Sequence, residues 1–331
     1  MNSFTNERLE ELKIKFKNKR IAIVGDMMLD CYFWGDVKRI SPEAPVPVVE
    51  VDNEFYRFGG AANVALNIIK LGSIPIPVGV VGNDNNALIF ADLMTEAGIS
   101  NEGIIKDNDR PTTIKTRVIA NNQHVVRIDK ESKKNISEVI ENSILEFFKN
   151  NIKNIDGVIL QDYNKGVLTY KVIKGVIDIA NANNKIITVD PKFNNFYEYK
   201  NVTVFKPNRK EAQDATGMTL NTNDEINKVG EHLLEKLNAK YILVTLGEGG
   251  SALFQHGKEE RKTPTKARKV RDVSGAGDTV ISTMTASLVA GANIDEAAYL
   301  ANFAGGLVCE EVGIVPIEVE KLFNAIKLEI V

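Results

Sequence analysis

Asp272 to Thr279, DVSGAGDT, places three small residues, Gly275, Ala276 and Gly277, directly before an acid, Asp278, and an apolar, helix-compatible run, VISTMTASLVAG, follows at once. So little side chain lets backbone N–H groups approach a ligand closely. A helix beginning there adds uncapped amides and the positive end of its dipole, which together suit an anion such as phosphate. An acid at the mouth of such a site repels phosphate unless it has work to do, and the obvious work is taking a proton from an alcohol that attacks phosphorus. The competing reading is a plain helix start, where first-turn acids are favoured anyway.

Other residues carry chemistry of the same kind. Asn208 and Glu211 stand three apart at the start of a helical stretch, an amide and a carboxylate able to act directly or through water on a magnesium-bound phosphate; the spacing suits a capping box equally well. Asp26 and Asp30 follow an apolar run and offer carboxylates to hydroxyl groups, or serve as turn acids. Gly59, Gly60 and Asn63 would let a polyol lie against backbone with an amide contact. Arg127, Lys165 and Lys192 fall near strand ends or loops and could meet a substrate phosphate, although such cations are commonly surface charges.

These residues need a frame, and the chain supplies one. RIAIVGD reads as a buried parallel strand, GGAANVALNIIKLG as a Gly-Gly turn into an amphipathic helix, and IPIPVGVVGND as a further strand. The alternation continues through DGVILQD, KIITVDPK, NVTVFKPN and YILVTLGEGGSALFQHG, with helices between, ending in two helices from about Gly277 to Gly291 and from Asp295 to Glu311. Repeated β-then-α order demands an α/β fold, a doubly wound, mainly parallel sheet with helices on both faces. Two stretches break the rhythm. Residues 31–58 carry the proline-rich SPEAPVPVVEV, suited to an exposed or edge strand, and residues 109–129 read as a hairpin about Asn121-Asn122. Together they suggest a small β-sheet lid on a single domain spanning 1–331.

Composition narrows the function classes. Lys plus Arg number 41 against 44 Asp plus Glu, so a nucleic-acid or acidic-membrane footprint is not expected. Two cysteines far apart and three histidines without ligand spacing indicate no zinc site and no disulfide framework. The polar N-terminus lacks an apolar signal core, and no run approaches a membrane span, so a cytoplasmic protein is expected. GEGGSA nearly meets the dinucleotide pattern, but the ALFQHG that follows reads as β where a helix is needed, and no P-loop is present. A nucleotide must be held by other apparatus.

Taken together, GGAAN with its helix, KPNRKE and DVSGAGDT resemble, in the right order and over nearly the whole chain, the three motifs of the ribokinase-like or PfkB family of carbohydrate kinases. GDMMLDCYFWGDVKRISPEAPVPVVEV, DYNKG and DPK narrow the resemblance to the family's heptose 7-phosphate kinases. The resemblance implies phosphoryl transfer from ATP, with Mg2+, to the anomeric hydroxyl of D-glycero-D-manno-heptose 7-phosphate in ADP-heptose biosynthesis. It implies Asp278 as base and Gly275, Ala276 and Gly277 as anion hole. Asn208, Arg209, Lys210 and Glu211 match the ATP and magnesium segment, while Thr245, Gly247 and Asn302 match the nucleotide pocket. Asp26, Asp30, Gly59, Gly60 and Asn63 match the sugar floor, and a substrate phosphate requires a cationic receptor, with Arg127, Lys165 and Lys192 as candidates. The lid implies a homodimer. Gly313-Ile314-Val315 stands where many relatives have Gly-Thr-Ser near a monovalent-cation loop, which leaves that cation open, and Phe58 stands where many have proline. No His-x-Gly-His motif of a nucleotidyltransferase occurs, so adenylylation is expected from a separate protein. The rivals are a kinase for another sugar or sugar phosphate and a sugar or nucleotide sensor without catalysis.

Overall fold

The computed structural model describes residues 4–267, 270–311 and 313–330. Its first strand, β1 (Arg20–Gly25), shows why the chain layers: Ile21 and Ile23 enter one apolar cluster, Ala22 and Val24 another, as the two-residue period requires of a strand buried on both faces. Helix α1 (Asn6–Phe16), capped by Thr5, lays Leu9, Leu12 and Phe16 on the first cluster. Directly after Asp26 come two long strands, β2 (Met27–Ile40) and β3 (Pro47–Gly60), and β3 runs without a linker into α2 (Ala61–Lys70). Then follow β4 (Ile74–Gly82), α3 (Asn85–Glu96), β5 (Ile104–Asp107), β6 (Thr113–Ala120) and β7 (Gln123–Lys130). The middle of the chain gives α4 (Glu138–Asn151), β8 (Gly157–Gln161), α5 (Tyr170–Ala182), β9 (Ile186–Asp190), β10 (Val204–Phe205), α6 (Arg209–Thr216) and α7 (Asn223–Leu237). The rest gives β11 (Tyr241–Thr245), β12 (Ser251–Phe254), β13 (Arg261–Thr263), α8 (Ala276–Val289), α9 (Ile294–Cys309) and α10 (Val319–Ile330).

The main sheet runs β13-β12-β11-β10-β9-β8-β1-β4-β5, parallel from β5 to β11, with β12 antiparallel to β11. Residues of α1, α2, α3, α8, α9 and α10 fill one apolar cluster and those of α4, α5 and α7 the other, so the expected doubly wound α/β sheet is the one observed. Strand order reverses between β1 and β8, and ligands of such sheets gather beyond the strand carboxyl ends at that point. A second sheet, β3-β2-β6-β7, pairs β2 with β6 in parallel and turns from β6 to β7 through Asn121 and Asn122, both at positive φ. Among the described residues no helix is long and apolar enough to cross a membrane.

Some expectations need correction. The proline-rich segment is split: the turn lies between Ile40 and Pro47, and β2 begins at Met27, four residues ahead of the sequence estimate. NVTVFKPN yields only the two-residue β10, which stops ahead of Pro207, a residue with no N–H for a ladder. β5, β13 and α10 were not anticipated; the two strands are short, and α10 follows what sequence took as the last helix.

Candidate active site

Helix α8 starts from Gly275, whose φ of 77° lies in the left-handed region and where a Cβ would stand 3.1 Å from Cγ2 of Ile314. Asp278 is therefore the third residue of the helix. Its Oδ2 accepts from Asn63 Nδ2 at 2.7 Å, and its Oδ1 from the Tyr163 hydroxyl at 2.8 Å and Gln161 Nε2 at 3.2 Å. Asn63 comes from α2, and Gln161 and Tyr163 from the end of β8, so the switch point of the sheet delivers all three. Burial pushes the Asp278 carboxyl up to about 6; the Asn63 donor opposes the rise and the Asp190 carboxylate adds to it.

Asn63 Oδ1 and Gln161 Oε1 are buried with no hydrogen-bond partner among the described residues, while their amide N–H groups donate to Asp278 and, for Gln161, also to Asp190. A buried acceptor left open costs roughly 1–3 kcal/mol, so the pair beside one carboxylate has room for a donor such as a water or a ligand hydroxyl.

A cavity of about 610 Å³ opens along the start of α8. Asn208, Arg209, Lys210, Glu211, Thr245, Gly247 and Asn302 all line it, together with Gly275, Ala276, Gly277 and Asp278. Buried Lys206 meets Asp190 Oδ2 at 3.2 Å on its wall, and a Cβ on Gly277 would come within 3.7 Å of the Lys206 ammonium. Asn208 and Glu211 form a capping box, each side chain bonded to the other's backbone N–H at 2.8 Å. Both sequence readings of the pair thus coexist, a helix cap that is also a cavity wall. Lys192 binds the other oxygen of Glu211; burial works against its charge, and Asp190 and Glu211 outweigh it.

Among the described residues no three His, Cys, Asp or Glu side chains gather to hold a metal. Asp190, Asn208 and Glu211 nevertheless bring hard oxygen donors to the cavity. That set fits an Mg2+ that arrives on a nucleotide's phosphates and keeps its waters, not a protein cage.

The other sugar-side candidates divide. Asp26 spends both oxygens on backbone amides of Tyr163, Lys165 and Val167, at 2.8, 3.1 and 3.2 Å, and so holds the loop after β8; burial pushes it up to about 6, the Asp162 charge adds to this and the amides oppose it. Gly60, at φ 56°, lets the chain pass where a Cβ would lie 2.5 Å from the Asp26 carbonyl oxygen. Asp30 accepts from Arg117 at 2.6 Å beside Gly59, and burial raises its carboxyl. The three cations expected to meet a substrate phosphate each have a carboxylate partner. Lys165 pairs with Glu131 at 2.7 Å, Arg127 with Asp129 at 2.9 Å, and Lys192 lines the 610 Å³ cavity with Glu211. Sequence reasoning missed Gln161, Tyr163 and Lys206. Gln161 ends β8 and Tyr163 lies two residues beyond it, at a strand carboxyl end where the strand-end rule marks a place for site residues without giving any of them a role. A separate cleft of about 890 Å³, between α7 and the β12–β13 end, shares no residue with this site.

A buried carboxylate in the first turn of α8, two buried amide oxygens without a partner beside it and a cavity of about 610 Å³ along the same helix start are what an α/β phosphotransferase for small alcohols would need. The chain belongs to the pfkB family of carbohydrate kinases, whose sequence profile matches residues 18–320. It is 44% identical over 307 residues to a protein named bifunctional protein HldE from Desulfatibacillum aliphaticivorans, covering 93% of this chain and 63% of that one. The same name is carried by a Helicobacter pylori relative (strain 26695), 41% identical over 295 residues, with 89% and 64% covered. The chain thus spans a little under two thirds of these relatives. Solved structures share the fold: Arabidopsis thaliana ribokinase complexed with ribose and ATP, at TM-score 0.72, 21% identity and 94% and 99% coverage, and Escherichia coli phosphofructokinase-2 in complex with fructose-6-phosphate, at 0.74, 16%, and 94% and 99%.

Proposed function

We propose that this carbohydrate kinase transfers the γ-phosphoryl group of ATP to the anomeric hydroxyl of D-glycero-D-manno-heptose 7-phosphate, giving the 1,7-bisphosphate used in ADP-heptose biosynthesis. The observation that carries the chemistry is Asp278, buried, held by three side-chain donors and raised to about 6. The heptose reading is supported by likeness to two proteins named bifunctional HldE and by the RISPEAPVPVV and DYNKG segments.

In this reading the sugar's anomeric O–H gives its proton to Asp278. The sugar oxygen forms the new bond to phosphorus as the bond to the ADP oxygen breaks, and ADP leaves with that electron pair. Asn63 and Tyr163 hold the carboxylate in line, and the open oxygens of Asn63 and Gln161 accept from sugar hydroxyls. The amides at Gly275, Ala276 and Gly277, with Lys206 nearby, face the charge that accumulates on the transferred group, a setting in which fixed donors contribute most. Mg2+ on the phosphates, near Asn208 and Glu211, supplies further charge neutralisation. The β3-β2-β6-β7 sheet acts as a lid over the sugar, and Ile40, Val51, Val126 and Ile128, exposed on it, support a homodimer through that sheet. The carbonyl of Ile314, on the turn matched to a monovalent-cation loop, faces the Arg57 guanidinium at 3.4 Å, which argues against a cation requirement there. A separate nucleotidyltransferase would act downstream.

The test is ADP release with ATP, Mg2+ and a panel of heptose 7-phosphate, fructose 6-phosphate, ribose and fructose. Preference for heptose 7-phosphate by kcat/KM is expected. Preference for a pentose or hexose would overturn the substrate assignment and leave the kinase assignment standing.

A further inference from the structure

The acceptor proposed above carries a phosphate far from its reacting hydroxyl, and the cations first suggested for it are already paired with carboxylates. We infer that Arg57 receives the acceptor's distal phosphate, on the face of the small sheet turned toward the base; the inference rests on the sugar-phosphate reading and adds the residue that reads the phosphate.

Register places the groups. Arg57 on β3 lies opposite Asp30 on β2, which lies opposite Lys115 on β6, which lies opposite Asp129 on β7; one step along, Phe55, Tyr32, Arg117 and Arg127 align in the same way. Directly paired residues share a face, so these eight side chains form one surface. It carries the ion pairs Arg117–Asp30 at 2.6 Å, Lys115–Asp129 at 3.1 Å and Arg127–Asp129 at 2.9 Å. At its margin Glu131 takes Lys115, Lys165 and Lys133 at 3.4, 2.7 and 3.7 Å. Every cation of this network therefore has a carboxylate, except Arg57.

Arg57 has no carboxylate within ion-pair distance among the described residues. Its polar contact is the 3.4 Å approach of Nη1 to the carbonyl oxygen of Ile314. The guanidinium is instead held by aromatic rings, 5.4 Å from the centroid of Phe55 and 5.7 Å from that of Tyr32, which stack on each other at 4.9 Å. Such a platform fixes the plane of the guanidinium and leaves its N–H groups free for a planar, forked contact with phosphate oxygens.

Charge and position agree. Arg57, Lys115, Arg117, Arg127, Lys133 and Lys165 face Asp30, Asp129 and Glu131. Counting also Asp272, across the cleft and bonded to the amides of Ser274 and Gly313, two positive charges remain. A phosphate monoester at neutral pH carries about that charge with opposite sign. The site also lies at the reacting mouth: the side chain of Ile314, whose carbonyl Arg57 approaches, packs on Gly275, three residues ahead of Asp278.

The experiment measures KM and kcat for heptose 7-phosphate and for unphosphorylated heptose with the wild type, Arg57→Ala, Arg57→Lys and Arg127→Ala, and the inhibition of each by inorganic phosphate. Loss of a charged hydrogen-bonding partner predicts a KM rise of about 10- to 100-fold for the phosphorylated sugar in Arg57→Ala, with kcat within about threefold. KM for unphosphorylated heptose should stay unchanged, phosphate inhibition should be lost, and Arg57→Lys should fall between. Arg127→Ala, removing a cation already paired, should raise KM for the phosphorylated sugar less than Arg57→Ala does. An unchanged KM in Arg57→Ala, or an equal rise with both sugars, overturns the inference, as does a larger effect in Arg127→Ala. If the wild type turns over another sugar phosphate instead of the heptose, the heptose reading fails and Arg57→Ala must show the same KM rise on that substrate. A wild type that prefers unphosphorylated sugars removes the receptor itself.

Discussion

Replacing Asp278 with Asn separates two effects that one carboxylate produces. As a base it should contribute about 10²- to 10⁴-fold to turnover, so Asp278→Asn should lower kcat by that factor in an ADP-release assay. As a buried charge it costs stability: a rise from 3.8 to about 6 corresponds to about 3 kcal/mol. The sign follows from linkage. The folded pKa lies above the unfolded one, so the group's favourable contribution is complete below about 3.8 and is lost as pH rises through about 6. Between pH 5 and pH 8 the wild type should therefore lose between about 1 and 2 kcal/mol that the variant, with nothing to titrate there, keeps. Unfolding entropy of about 2.1 cal/mol/K per residue, over 331 residues, converts this into about 2 °C. The amide's poorer fit to the donors from Asn63 and Tyr163 shifts both pH values alike and cancels. Thermal unfolding of both proteins without ligand at the two pH values measures the difference. A kcat within tenfold of wild type would refute the base, and a Tm difference that does not move with pH would refute the buried-charge argument.

The wild-type kcat/KM should fall about tenfold per pH unit below about 6, where Asp278 takes up its proton; a profile flat down to pH 4.5 would contradict this. Tyr163→Phe removes a donor that favours the ionised base, so the acid limb should move upward, by up to about one pH unit, with a drop in kcat; an unmoved limb would assign Tyr163 to packing alone. Gly60→Ala demands positive φ of a residue with a Cβ that would stand 2.5 Å from the Asp26 carbonyl, and should cost about 2 kcal/mol or more in chemical denaturation.

Much of this was legible in the sequence because it is local. Apolar runs closed by Gly and Asp gave β1 and β4, an Asn-Asn pair gave the β6–β7 turn, and the small residues before Asp278 gave the start of α8. The partners of the base were not legible, since Asn63, Gln161 and Tyr163 meet only after the sheet has formed, and nothing local in LQDYNKG distinguishes a donor to a base from a turn residue. Lys206 escaped for a related reason: a lysine before Pro-Asn reads as surface, and its burial beside the Asp190 carboxylate is seen only in the fold. Asp26 reads as a ligand for hydroxyls from its position, and the sequence gives no sign that its oxygens also accept three amides of the neighbouring loop.

That loop also gives the small sheet its mechanics. The outgoing strand leaves the core at Asp26 and the returning strand re-enters at Gly60, and the amide of Ala61 bonds the Asp26 carbonyl at 3.0 Å, so departure and return cross at one fulcrum. The carboxylate of that fulcrum grips the amides of Tyr163, Lys165 and Val167, and the Tyr163 hydroxyl grips the base. A tilt of the sheet would therefore reach Asp278 through two hydrogen-bonded steps. If the small sheet is the lid and Asp278 the base proposed above, an acceptor able to draw the sheet down would align the base by the same stroke, while water, too small to move it, would leave the base untuned and ATP spared.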